Sequence, residues 1–177
     1  MLTLVLGGTR SGKSRYAERL AADAAEQSGL GVRYVATAEV DPSDAGHRDR
    51  VAAHRARRPA SWTTAECGSP ADLPRLVRTE QVVLVDSIGS WMVRYPDFRV
   101  DLDALDALWR DRQAPTVLVS EEVGLAVHPQ SAVGRRYVDA LGRLNEYLAA
   151  RADRAVLVVA GRPMELGPAA TVDPLGL

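Results

Sequence analysis

The run GGTRSGKS at residues 7 to 14 matches the pattern G-x-x-x-x-G-K-S/T, with Lys13 and Ser14 closing it. Its chemistry follows from the residue types. Gly7, Gly8 and Gly12, with Thr9, Arg10 and Ser11 between them, let the chain curl so that backbone N–H groups converge on phosphate oxygens. Lys13 then reaches the β- and γ-phosphates, and Ser14 offers a hydroxyl to Mg²⁺. The pattern sits between an apolar run, LTLVL, and a helix-forming stretch, the context that such a loop requires. The basic residues sharpen the point: 21 are arginine and one is lysine, Lys13. A compact ammonium on a thin stem stands only where a planar guanidinium fork would not fit.

Two further positions carry chemical potential. The apolar run VVLVD ends in Asp86, a carboxylate placed to join Ser14 in holding Mg²⁺, although an acid is also a common strand-end turn residue. A stretch expected to be helical, 44 to 57, carries His47 and His54 seven residues apart and ends His54-Arg55-Ala56-Arg57-Arg58 before Pro59. A histidine there is ordinarily a solvated surface residue, and arginines in a last turn are ordinary partners of a helix C-terminus. The chemical alternative is an imidazole that attacks a nucleotide phosphate while neighbouring guanidiniums neutralise the developing charge. Spacing alone does not choose between them.

The elements that must position these groups alternate. Apolar β-rich runs at 2 to 6, 32 to 38, 82 to 86, 116 to 120 and 155 to 160 are separated by helical stretches at 14 to 27, 44 to 57, 101 to 112 and 133 to 152. Runs apolar on both faces imply a mostly parallel sheet flanked by helices, an α/β fold of the P-loop NTPase (RecA-like) kind, with ligands at the carboxyl ends of the strands. Residues 57 to 67 hold a candidate short strand after Pro59, and the chain from about residue 166 to 177 is expected to be a poorly ordered tail. A chain of 177 residues is expected to form one domain.

Composition excludes several functions. A formal net charge of -1 leaves no global field for nucleic acid or membranes, so anion recognition must be local. One cysteine, Cys67, excludes an internal disulfide and a Cys-rich zinc site and fits a reducing, cytoplasmic setting. No apolar run approaches the roughly 18 residues of a membrane span, and LTLVL is too short for a signal-peptide core, so a soluble, unexported protein is expected.

The segments GGTRSGKSRYAE, YVATAE, HRARRPASWTTAE, the Asp86 strand and EEVG…P…R…D…G…N together resemble the bifunctional adenosylcobinamide kinase / adenosylcobinamide-phosphate guanylyltransferase family, from residue 2 to about 165. The resemblance implies phosphorylation of the aminopropanol hydroxyl of adenosylcobinamide by ATP or GTP. It then implies transfer of GMP from GTP to adenosylcobinamide phosphate through a guanylyl-histidine, which would fall on His54. It also implies guanine-nucleotide contacts at Arg55, Ala56, Arg57, Arg58 and Glu66, nucleotide contacts at Ala36, Thr37 and Ala38, and a homotrimer. Arg135, Asp139, Gly142 and Asn145 fit the family's late helix. Two stretches depart from its usual pattern: Glu121-Glu122-Val123-Gly124 where Asn-Glu-Val-Gly is frequent, and Ser87-Ile88-Gly89 where Cys-Leu-Thr is frequent. Two other readings stay open on the residues alone: a small-molecule kinase using only the phosphate loop, and a GTP-binding switch without an acceptor substrate.

Overall fold

The computed structural model describes residues 1 to 38, 52 and 55 to 167. The first run becomes strand β1 (Leu2–Gly7), followed by helix α1 (Lys13–Ser28), strand β2 (Val32–Ala36) and a short strand β3 (Thr63–Glu66). After a 3-10 turn come α2 (Leu73–Val77), β4 (Val82–Asp86) and α3 (Ile88–Met92). A second 3-10 turn leads to α4 (Leu102–Arg110), β5 (Thr116–Glu121), α5 (Ala132–Ala149), β6 (Arg154–Val159) and β7 (Arg162–Leu166). The described strands form one sheet in the order β3-β2-β4-β5-β1-β6-β7, parallel except for the antiparallel β6–β7 hairpin.

The expected strands all form, and the candidate strand after Pro59 is β3. Strand β7 was not foreseen: Arg162-Pro-Met-Glu-Leu has no apolar run, and all five residues are exposed on an edge strand where proline is tolerated. Order continues to Leu166, the first residue of the expected tail; residues 168 to 177 lie outside the described residues. Of the helix expected over 44 to 57, residues 55 to 57 are helical, while His47 and His54 lie outside the described residues.

Strand alternation sorts the core into two layers. On one face, Leu4, Leu6, Val83, Val85 and Leu118 pack with Leu73, Ile88, Met92, Leu105, Leu141 and Leu148 from helices α2 to α5. On the other, Val5, Val82, Leu84, Val117, Val119 and Val156 meet Ala17 and Ala21 of α1, whose small side chains let the helix lie close to the sheet. Each fully buried branched side chain contributes about 1.5–3 kcal/mol relative to exposure. The buried central strand β1 thus delivers its C-terminal loop to the same edge as the tips of β5 and β4.

The opposite edge of the sheet is tied by Arg112. Its guanidinium donates to the carbonyls of Val77, Thr79 (3.1 Å), Gln81 (3.0 Å) and Ala114, and its Nε to Thr116 Oγ1 at 2.7 Å. Replacing Arg112 with Ala strips several turn carbonyls of their donor and is expected to cost about 2–4 kcal/mol. Urea unfolding measures this; a loss below about 0.5 kcal/mol would show that water replaces the guanidinium freely.

Candidate active site

The phosphate loop begins at the last residue of β1. A side chain on Gly7 would collide with Ser11 Oγ and stand 2.8 Å from Val158 O, so only glycine lets β1 turn here. The loop is closed by Ser11 N–H on Gly8 O at 3.2 Å and opens into α1 through Gly12, at φ 94°. That left-handed backbone suits glycine. Lys13 Nζ donates to Gly8 O at 3.3 Å, folding the ammonium over the loop's mouth, and Lys13 N–H donates to Ser11 Oγ at 3.3 Å. Neighbouring strands brace the loop: Gly161 N–H donates to Ser11 O at 2.7 Å from the β6–β7 turn, and Glu122 N–H to Gly7 O at 3.0 Å from the end of β5.

Asp86 ends β4, one strand beyond β5, with Ala36 of β2 beside it in register. Tyr34 donates its hydroxyl to Asp86 Oδ2 at 2.7 Å. Burial, then the Asp86 charge, pushes the phenol well above its usual range, so it remains a neutral donor. The loop after Asp86 is locked to that after β2: Thr37 N–H donates to Asp86 O at 3.1 Å, and Thr37 Oγ1 exchanges two 2.6 Å hydrogen bonds with the Ser87 backbone. Thr37 is buried and its hydroxyl is committed to Ser87, so what it presents outward is backbone. Arg94 donates to Thr37 O at 2.5 Å and to Cys67 O, spanning two strand-end loops. The hydroxyl of Ser14 and the carboxylate of Asp86 are hard oxygen donors, the set that suits Mg²⁺.

Between the loop and Asp86 stands Glu121, at the tip of β5 and paired in register with Gly7. Ser87 Oγ donates to Glu121 Oε1 at 2.6 Å, while Oε2 is buried without a hydrogen-bond partner among the described residues. A side chain on Gly89 would occupy the position of Oε2. The two departures from the family pattern therefore meet in space: serine supplies the donor and glycine the room that a glutamate at 121 needs. Burial raises the Glu121 carboxyl above its usual range, against the opposing pull of the Ser87 hydrogen bond and Lys13; Asp86 adds to the rise. Tyr137, whose phenol is pushed up to about 12 by burial and by Glu121, faces the same Gly89.

Beyond β2, a cavity of about 400 Å³ is lined by Arg55, Arg58, Trp62, Thr64 and Glu66 among others. Each arginine is held. Arg55 pairs with Glu66 at 2.7 Å, Arg57 makes a two-point contact with Glu18 at 3.1 and 3.2 Å, and Arg58 stacks 3.4 Å from the Tyr34 ring centroid. Arg58 also donates to Thr64 Oγ1 at 3.3 Å. Tyr34 thus joins the halves of the site, its hydroxyl on Asp86 and its ring under Arg58.

Residues 3–166 match the model of the cobinamide kinase / cobinamide phosphate guanyltransferase family. The chain belongs to that family. It is 42% identical to the bifunctional adenosylcobalamin biosynthesis protein CobP of Pseudomonas aeruginosa, covering 94% of this chain and 97% of the relative. It is 34% identical to the bifunctional adenosylcobalamin biosynthesis protein CobU of Salmonella typhimurium, covering 91% and 97%. Among solved structures, a KaiC-like protein from Pyrococcus horikoshii superposes with a TM-score of 0.54 at 19% identity, covering 88% of this chain and 69% of its own. The flagellar accessory protein FlaH from Methanocaldococcus jannaschii gives 0.57 at 13% identity, covering 94% and 78%. These likenesses establish the fold, a P-loop NTPase with a mostly parallel sheet.

Of the residues singled out in the sequence, the structure gathers Gly7 to Ser14 and Asp86 on one edge of the sheet and Arg55, Arg58 and Glu66 around the cavity. Ala36 and Ala38 flank Thr37 on the loop beside Asp86. Glu18 and Tyr34 fall inside the quoted segments GGTRSGKSRYAE and YVATAE but had no task assigned there, and Arg94 lay in none, because each acts through partners distant along the chain: Arg57, Asp86 and Thr37. Asn145, which had no assigned task, holds the β5 tip: its Nδ2 donates to Glu121 O at 2.9 Å and its Oδ1 accepts from Ser120 at 2.6 Å.

The raised Glu121 carboxyl has a sign that can be measured. Between the ordinary glutamate pKa, about 4.3, and its higher folded value, the folded chain binds the proton more tightly than the unfolded chain, so this group's contribution to stability falls as pH rises. Glu121→Gln should therefore be more stable than the parent at about pH 8 and match it near about pH 4. Thermal unfolding across that range tests this, and a difference independent of pH would contradict it.

Proposed function

We propose that this protein phosphorylates the hydroxyl of adenosylcobinamide with ATP or GTP at the Gly7 to Ser14 loop, then transfers GMP from GTP to the resulting phosphate through His54. The product is adenosylcobinamide-GDP. The observation that carries the reading is a braced phosphate loop facing the Asp86 strand end in a chain belonging to a two-activity family.

In the first reaction the acceptor hydroxyl oxygen attacks the γ-phosphorus, its proton passes to water, and the bond to the β-γ bridging oxygen breaks, releasing the nucleoside diphosphate. Lys13 and the loop N–H groups neutralise charge on the phosphoryl oxygens. Ser14 and Asp86 would hold Mg²⁺, which when bound spreads the charge of the β- and γ-oxygens. Tyr34, donating to Oδ2, orients the Asp86 carboxylate.

In the second reaction an imidazole nitrogen of His54 attacks the α-phosphorus of GTP, forming a P–N bond and releasing pyrophosphate. An oxygen of the cobinamide phosphate then attacks the same phosphorus and the P–N bond breaks. Arg55 and Arg58 line the cavity beyond β2 and supply positive charge. Glu66, on β3, offers a carboxylate to the donor edge of guanine. A single-domain, cytoplasmic homotrimer without nucleic-acid partners belongs to the same proposal and rests on resemblance and composition. None of the described helices is long and apolar enough to cross a membrane.

Incubation with GTP labelled at the α-phosphate should leave an acid-labile label on His54. His54→Asn should abolish that label and the guanylyl transfer while kinase turnover persists. Loss of neither activity would remove His54 from the mechanism, and absence of label in the parent would favour a kinase using the loop alone. Lys13→Ala should lower kinase turnover by roughly 10²-fold or more, since a preorganised cation on the β/γ-phosphates is lost.

A further inference from the structure

The chain between β5 and α5, residues 122 to 131, is pinned at both ends. At its start Glu122 N–H donates to Gly7 O of the phosphate loop at 3.0 Å, and the Glu122 carboxylate accepts from Gly124 N–H at 2.6 Å. At its end Ser131 Oγ caps α5 by accepting from Gly134 N–H at 3.0 Å, and Arg135 donates to the carbonyls of Pro129 and Gln130 at 3.2 and 2.6 Å. Between these anchors Leu125 and Val127 stand 81% and 95% exposed, whereas no other large apolar side chain among the described residues exceeds 64%. A single apolar side chain at a surface is ordinary. Two of them, held out on a braced loop rooted in the phosphate site, call for an apolar partner.

The order of the sheet says which partner. Strand β5 lies between β1 and β4, so this loop rises from the gap between the phosphate loop and Asp86. The γ-phosphate is drawn into that gap, and in-line transfer places the acceptor hydroxyl opposite the β-γ bridging oxygen, on the side away from the phosphate loop. Helix α1 packs on one face of the sheet through Ala17 and Ala21, and α5 on the other through Leu141 and Leu144. The loop leaves toward α5, so it borders the space beyond the γ-phosphate and not the helix that follows the phosphate loop. Of the reactants, the cobinamide alone carries a broad macrocycle rimmed with methyl groups. A second copy of the chain is a poorer fit, because two side chains on a narrow loop supply far less than the about 800 Å² per partner that a stable subunit contact buries.

We infer that Leu125 and Val127 form an apolar rest for the macrocycle of adenosylcobinamide, and that this contact helps select the acceptor. This rests on the functional reading above. The short aminopropanol arm that carries the reacting hydroxyl offers few groups for recognition. Apolar burial against the macrocycle adds binding shared by the ground state and the transition state, so it lowers the acceptor's KM and leaves kcat unchanged.

The test combines steady-state kinase kinetics with equilibrium dialysis of adenosylcobinamide. It compares the parent with Leu125→Ser/Val127→Ser, the conservative Leu125→Met/Val127→Ile, and Met164→Ser, a change at an exposed apolar position on edge strand β7. The serine pair should raise the acceptor's KM and Kd about tenfold or more, with kcat, the KM for the nucleoside triphosphate and Tm close to parental. The conservative pair and Met164→Ser should keep parental values throughout. Parental acceptor KM and Kd in the serine pair would overturn the inference. So would an equal loss of nucleotide affinity, which marks a general disturbance of the site, or a smaller assembly in analytical ultracentrifugation, which marks the loop as a subunit contact. If the parent binds ATP or GTP but neither binds nor phosphorylates adenosylcobinamide, the functional reading itself fails and the inference falls with it.

Discussion

A ring of backbone N–H groups holds a phosphate only if the chain bearing them cannot relax, because a loop free to turn its donors outward would give them to water. The rest of this structure depends on that constraint. It explains why β1 lies between β5 and β6 with Leu4 and Val5 fully buried, and why glycine stands at 7 and 12. It also explains the two backbone braces, from Gly161 to Ser11 and from Glu122 to Gly7, that reach the loop from opposite sides. The order of the binding site is supplied in advance by the core, so ligand association need not bear the entropy of arranging it.

With a formal net charge of -1 the protein has no long-range field to gather nucleotides, and recognition relies on local charge. The arginines near the cavity are held in fixed directions by Glu66, Glu18 and the Tyr34 ring. A guanidinium with an existing carboxylate partner has less rotamer freedom to lose when it meets a phosphate. Tyr34 is the pivot of this arrangement, since one side chain sets both the Asp86 carboxylate and Arg58.

The tip of β5 shows how three neighbouring residues accommodate one another. Glu121 is tolerable beside a phosphate site because Ser87 satisfies one oxygen and Gly89 leaves space for the other. Asn145 fixes the strand end beneath it. Glu121, Ser87 and Gly89 are the positions that stand apart from the pattern the resemblance implies, and as a contact set they are consistent.

Much of this was legible before folding. Strands apolar on both faces revealed the parallel sheet, because burial between helix layers leaves no room for polar alternation. The phosphate loop was legible because backbone chemistry at that turn demands particular residues at fixed local spacing, and the ordered family segments carried the identification. Strand β7 was hidden, since an exposed edge strand holding Pro163 needs no apolar pattern and is defined by its partner β6. The contacts of Tyr34, Glu18 and Arg94, the Ser87–Glu121 contact and the place of the β5–α5 loop beside the phosphate loop were decided only by the tertiary structure. Each depends on which strand ends lie side by side, and local spacing along a chain does not encode the order of strands in a sheet.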